Sequence, residues 1–241
     1  MITLEKVTKR VQRAKPILLS VDFQIPTDRR IAVLGPAGPE KRGFMNLLAG
    51  TDMPESGRVV RHKSVSFPVG DLPGFIRELS VRINVAHVAR LYGADVRWTV
   101  NTVEKVTKIG ARFDRPYEQA AASRRELAYA VAFSLPFDVY VLADDKLARE
   151  WSRQQSSKDG KGKGNDIVAL FGARMESAGM IIATDDVEFA RKHCDLGLFL
   201  HGGELALTED MSNTFDGAKQ ERRKVRAIAR RRARLIREKR G

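Results

Sequence analysis

The chain has 241 residues, 43% of them hydrophobic and 30% charged, with 43 Lys/Arg against 30 Asp/Glu and a net charge of +13. That composition supplies apolar material for a sizeable core and excludes a disordered chain. Cys194 is the only cysteine, which excludes an intrachain disulfide; no uninterrupted apolar run is long enough to cross a bilayer, and the first residues do not read as a secretory signal.

The first telling stretch runs from Arg30 to Gly43. Arg30-Ile31-Ala32-Val33-Leu34 is a short β-prone run, and Phe44, Leu47 and Leu48 give the i, i+3, i+4 stripe of a helix. Between them stands GPAGPEKRG, residues 35–43, which has the outline of a phosphate-binding loop, GxxxxGK[ST]. Gly35, Gly38 and Lys41 are in register. Glu40 replaces the glycine that lets backbone N–H groups close round phosphate, and Arg42 replaces the hydroxyl that would hold Mg²⁺. A carboxylate in an anion nest repels phosphate, and an arginine ligates no cation. An ordinary strand-to-helix turn uses the same glycines and prolines, so the loop alone leaves both readings open.

Further along, Tyr129 to Ala143 is the most apolar segment; with Pro136 and Asp138 inside it, it reads as a helix followed by a buried strand. That strand, Phe137 to Asp145, ends in acids. Residues 156–165 (SSKDGKGKGN) have nothing to bury and read as a loop. His193 beside Cys194, with His62, His87 and His201 scattered, lacks metal-ligand spacing, so no metal site is expected. At the end, residues 219–241 hold twelve Lys/Arg and two Glu, leaving only +3 for all that precedes them. Val225, Ile228, Ala229, Leu235 and Ile236 fall near one helical face, with arginines over much of the rest. Such a segment suits a polyanion, through Arg222, Arg223, Arg226, Arg230, Arg231 and Arg234: an anionic membrane surface or RNA. A solvated charged helix is the plainer alternative. Aromatic residues are absent from it, which weakens base-specific recognition.

Several stretches together carry a family resemblance: Met1 to Lys9 (MITLEKVTK), Leu48 to Gly57 (LAGTDMPESG), Ser66 to Gly70 (SFPVG) and Asn84 to Tyr92 (NVAHVARLY). From Met1 to about Asp210 the chain resembles the ATP-binding subunits of ABC transporters, most of all the branch that exports capsular polysaccharide. The resemblance implies an α/β fold of the P-loop NTPase type. A RecA-like core would occupy roughly 1–70 and 130–210, with a helical subdomain inserted at about 71–130 and a basic tail over 216–241. It implies ATP and Mg²⁺ as cofactors, a permease or second ATPase subunit as partner, contact with that partner near Arg82, Asn84, Arg90 and Tyr92, and a place at the cytoplasmic face of a membrane.

Carried across position by position, the resemblance brings altered chemistry. The adenine-stacking aromatic falls at about Val11. The signature loop falls on Gln119 to Ser123, where alanines stand for its serine and glycine. In the ungapped register the Mg²⁺-orienting aspartate becomes Ala143 and the catalytic glutamate Asp144; slipped by one residue, the pair becomes Asp144 and Asp145. The switch histidine becomes Asp185. The expected function is a pseudo-ATPase of the polysaccharide-export type that acts by docking. A divergent but working ATPase subunit and an RNA-binding or regulatory adaptor are the alternatives.

Overall fold

Alternation in three short strands decides where the cores lie. Ile31 and Val33 of β3 (Arg30–Leu34), Val139 and Val141 of β6 (Val139–Leu142) and Ile181 and Ala183 of β7 (Gly179–Ala183) enter one cluster. Ala32, Leu34, Tyr140, Leu142, Met180 and Ile182, the intervening residues, enter another. Strand side chains alternate between faces, so a sheet covered on both sides needs nearly continuous apolar runs, which is the pattern of parallel sheets.

The computed structural model describes residues 1–11, 15–35, 38–119, 124–156 and 166–211. Its larger sheet has six strands in the order β5-β6-β7-β3-β8-β9, with β5 at Val65–Val69, β8 at Leu196–His201 and β9 at Glu204–Thr208. The first five run parallel, and β9 returns antiparallel on β8. Pro68 is tolerated because β5 is an edge strand. Ser66 on the same strand is buried, accepts from Val141 N at 2.9 Å and donates to Phe67 O at 2.7 Å.

A second, antiparallel sheet has the order β2-β1-β4, with β1 at Ile2–Val11, β2 at Lys15–Ile25 and β4 at Ser56–Arg61. Its pairing of β1 with β4 shifts register between Glu5 and Thr8, opposite Gly57. Gly57 has φ +78°, and a Cβ there would lie 2.3 Å from Glu5 O, so only glycine fits. Helix α1 (Pro39–Ala49) joins the two sheets: Phe44, Met45, Leu47 and Leu48 share one cluster with Ile2, Leu4 and Phe23 on one side and Ile31 and Val33 on the other. The Arg61 guanidinium satisfies the end of α1, donating to Leu48 O at 2.8 Å and Leu47 O at 2.5 Å.

The opposite face of the larger sheet is covered by α4 (Arg124–Ser134) and α6 (Asp166–Ser177). The span expected to hold a helical insertion contains α2 (Val81–Leu91), α3 (Val96–Thr107) and a 3₁₀ turn at Gly110–Asp114. Ser80 caps α2 through Ile83 N at 3.2 Å, and Asp95 caps α3 through Trp98 N at 2.7 Å. Helices α5 (Lys146–Ser156) and α7 (Val187–His193) follow β6 and β7. Among the described residues no helix is long and apolar enough to cross a membrane.

Candidate functional site

In open α/β sheets ligands bind beyond the carboxyl ends of the strands, and here the ends of β3, β6 and β7 open on a cleft of about 210 Å³. Gly38, Lys41 and Arg42 enter it from the head of α1, Asp144 and Asp145 from the turn after β6, and Thr184 and Asp185 from the turn after β7. The structure therefore brings the degenerate loop and all three candidate acids to one place. Gly35 and Glu40 line a neighbouring cleft of about 320 Å³ that shares Lys41 and is walled by Pro16, Ile17 and Leu200.

Lys41 is the centre of the arrangement. It is only 8% exposed, and its ammonium donates to Gly35 O and, at 2.8 Å, to Thr184 O. Gly35 presents that carbonyl with φ +120°, a conformation that favours glycine. Burial outweighs the attraction of Asp185 and Asp145 and holds the ammonium below the usual lysine range. The lysine is thus spent on backbone carbonyls of its own chain.

The second internal link runs through Asp145, which is 5% exposed. It accepts from Thr184 Oγ1 at 2.5 Å through Oδ2 and pairs with Arg149, one helical turn on, at 2.8 Å through Oδ1. Thr184 Oγ1 also accepts from Asp186 N at 3.0 Å, and the Asp186 carboxylate caps α7 through Phe189 N at 2.9 Å. Asp144 is exposed at the cleft, and its carboxylate accepts from Lys146 N at 3.1 Å in a local turn. The two registers considered for these acids thus differ physically: the buried carboxylate is Asp145. Asp185 stands exposed beside the cleft.

These residues do not fit a nucleotide with Mg²⁺. Pro39, the first residue of α1, has no N–H to offer phosphate, and Glu40 places negative charge in the same first turn, where the helix dipole favours an anion. Arg42, which lines the cleft next to Lys41, offers a cation no oxygen ligand. Val11, at the expected adenine position, packs with the β1-β2-α1 cluster, its methyl 3.8 Å from where a Cβ of Gly43 would stand. Of the signature-loop positions only Gln119 is described; residues 120–123 lie outside the described residues.

The residues expected to meet a partner are divided by the structure. Asn84 is fully buried and reaches no surface. Its Oδ1 accepts from Ile76 N at 2.6 Å, and its Nδ2 donates to the carbonyls of Ile76, Leu79 and Ser80 at 2.9, 3.1 and 3.1 Å. It holds a loop, which its place on a helix beside a polar turn does not reveal in sequence. Arg82 is committed to Asp114 at 2.6 Å and Glu104 at 3.0 Å, over the Phe113 ring. Arg90 and Tyr92 are both exposed, the Tyr92 ring lying beside those of Phe67 and Phe137 at 5.7 and 5.1 Å. The six tail arginines, Arg222 to Arg234, lie outside the described residues, as does most of the 156–165 segment.

His193 is a structural group. Its Nε2 meets Ser152 Oγ at 2.7 Å, with the Trp151 and Phe189 rings at 4.9 and 5.1 Å. Burial pushes the neighbouring Cys194 thiol up to about 12. Three residues of the site carried no role in the sequence reading: Thr184, Arg149 and Pro39. Arg149 lies four residues after Asp145 and Pro39 opens a helix, so both were signalled by spacing; Thr184 was not, because its partner is distant in sequence.

The two sheets bridged by α1, with a cleft over the β3, β6 and β7 ends, have the fold of the nucleotide-binding domains of ABC transporters. A solved structure described as the ATP-binding subunit of an ABC transporter superposes with TM-score 0.58 at 17% identity, over 92% of this chain and 98% of that one. A dimeric ATP-binding cassette in a post-hydrolysis state with ADP and Pi superposes with TM-score 0.57 at 19% identity, over 85% and 96%. No protein-family model matches the chain.

Among the curated proteins to which the chain is similar are ATP-binding proteins of capsule and polysaccharide export and, over about half of the chain, of sulfate/thiosulfate import. The polysialic acid transport ATP-binding protein KpsT of Escherichia coli is 24% identical over 82% of this chain and 87% of its own length. The capsule polysaccharide export ATP-binding protein CtrD of Neisseria meningitidis serogroup B is 24% identical over 90% and 97%. The ATP-binding protein BexA of Haemophilus influenzae is 24% identical over 83% and 88%.

Proposed function

We propose that this chain is an ABC-type subunit associated with polysaccharide export that no longer hydrolyses ATP and acts by docking, peripheral to the cytoplasmic face of a membrane, to a permease or a second ATPase subunit. The observation that carries the reading is the fate of Lys41: its ammonium is bound to Gly35 O and Thr184 O, with Glu40 in the same helical turn. Phosphoryl transfer depends on positioned charge, and each well-placed group lost costs on the order of 3 kcal/mol of barrier lowering. Several such losses together leave little turnover.

The test is calorimetry with ATP and Mg²⁺ on three proteins: the wild type, Lys41→Ala and the double change Glu40→Gly with Arg42→Ser. The expected result is no binding heat from the wild type and a measurable one from the double variant. Saturable binding by the wild type that Lys41→Ala abolishes would restore a nucleotide-dependent role, and Mg²⁺-dependent ATP hydrolysis by the wild type that Lys41→Ala abolishes would overturn the proposal.

A second reading, a divergent but working ATPase subunit, is favoured by the convergence of Gly38, Lys41, Asp144, Asp145 and Asp185 on one cleft. It requires co-purification with an intact ATPase and turnover that Asp144→Ala removes.

A further inference from the structure

Helix α3 packs Thr99, Val100 and Val103 into the protein, and its opposite side is basic. The exposed residues of the helix are Arg97, Trp98, Asn101 and Lys105, joined by Lys108 at the C-cap. With 3.6 residues per turn, these side chains fall within about 100° of arc, centred opposite the buried ones. Arg97, Asn101, Lys105 and Lys108 follow one another at steps of four, four and three residues, a stripe about 17 Å long at the helical rise. Contiguity follows from the helix itself.

The stripe contains no acid. Glu104 pairs with Arg82 of α2 at 3.0 Å, Asp166 of α6 takes Lys108 at 2.8 Å, and Asp95 caps the helix through Trp98 N. Among the described residues Arg97 and Lys105 enter no ion pair, so their charges are left for solvent or a partner. Trp98, 49% exposed at the edge of the stripe, presents an apolar ring with one N–H donor. Such rings are enriched where hydrocarbon meets water. Long basic side chains lay their stems along the same boundary and carry their charged heads to the phosphates.

We infer that the outer side of α3 is a contact for anionic phospholipid headgroups, with Arg97 and Lys105 on the phosphates and Trp98 at headgroup level. This rests on the membrane-peripheral part of the proposed function and gives that placement a surface within the folded chain. A lipid surface is favoured over a chain-like polyanion because the stripe is the outside of a single helix with one aromatic ring. Single-stranded nucleic acid is held by a basic groove and successive stacking platforms. A flat array of headgroups needs only an outward, acid-free face, to which each basic residue adds about fivefold in affinity.

The test uses the full chain and vesicles of phosphatidylcholine, alone or mixed with phosphatidylglycerol, carrying bromine-labelled acyl chains as quencher. The readout is Trp98 emission, taken as the difference between wild type and Trp98→Phe so that Trp151 cancels. The expected result is a blue shift and quenching with phosphatidylglycerol only. Apparent affinity should fall about thirtyfold in Arg97→Gln with Lys105→Gln, and less than fivefold in Arg29→Gln with Lys63→Gln, which removes the same charge from exposed positions elsewhere. Equal losses in the two double variants would overturn the stripe in favour of overall charge. Sedimentation of the wild type with vesicles while Trp98 emission is unmoved would overturn the α3 contact. A shift of equal size with phosphatidylcholine alone would overturn the anionic headgroup. A shift with polyuridylate and none with vesicles would overturn lipid in favour of nucleic acid. None of these outcomes touches ATP hydrolysis, so failure here is distinct from failure of the pseudo-ATPase reading.

Discussion

Replacing Asp145 by alanine asks whether the cleft is held for a ligand or closed for the fold. The carboxylate is 5% exposed and bound at 2.5 Å by the Thr184 hydroxyl. A hydrogen bond to a charged, buried acceptor contributes about 1.5–3 kcal/mol. The Arg149 pair at 2.8 Å adds less, about 0–1 kcal/mol, because the Arg149 side chain is 43% exposed and its charge is screened. Asp145→Ala is therefore expected to cost roughly 2–4 kcal/mol. In a domain of this size each kcal/mol moves Tm by about 2–4 °C, giving a fall of roughly 4–16 °C in scanning calorimetry. Asp145→Asn, which keeps an acceptor for Thr184, should lose less. Acids reserved for catalysis are commonly held at a cost to stability, so an alanine variant as stable as the wild type, or more so, would refute the closed-site reasoning.

Two further expectations follow from groups outside that network. Burial, helped by Lys192 and Arg30, lowers the pKa of His193 below its ordinary 6.5. Above that pH both folded and unfolded states carry it neutral. As pH falls through 6.5 the unfolded chain takes the proton first, so stability declines toward the folded pKa and then levels off. His193→Gln should flatten that acid limb in urea titrations across pH 7 to 5, and an unchanged slope would exclude His193 as its source. Asn84→Ala removes the clamp on the loop before α2. It should cost about 2–4 kcal/mol and speed amide exchange at Ile76, while unaltered Ile76 protection would show that the loop is held by other contacts.

Much of the fold was legible because its signals are local. The run Arg30 to Leu34 is β3 to the residue, and Phe44, Leu47 and Leu48 are buried on α1. The apolar segment from Tyr129 does split into the end of α4 and strand β6. Site details were less legible because they depend on contacts between distant elements. Asp144 and Asp145 look equivalent in a strand ending in acids, and only the hydroxyl of Thr184, 39 residues on, makes one buried and leaves the other in solvent. Asn84 reads as one polar group among several on a helix; what settles its role is the backbone of residues 76 to 80 folding over it. Lys41 is in register for phosphate in the sequence, but the direction of its ammonium is set by carbonyls at the ends of two separate strands.

On the pseudo-ATPase reading proposed above, the altered positions form one coupled change and not separate losses. A phosphate site concentrates positive charge that a ligand neutralises, and without the ligand that charge is costly to bury. Here the cleft brings Lys41, Arg42, Lys146 and Arg149 together with Asp144, Asp145 and Asp185, and Glu40 adds a fourth carboxylate at the head of α1. The charges balance within the chain. Glu40 supplies at the helix terminus the negative charge that phosphate would otherwise bring. Arg149 and Thr184 take up the Asp145 carboxylate, and two carbonyls take up the ammonium. Reverting Glu40 alone would return positive charge to the cleft while Arg42 still blocks the cation position, so the double change Glu40→Gly with Arg42→Ser should gain nucleotide binding more strongly than the sum of the single changes. Gains that simply add would mean that the positions diverged independently.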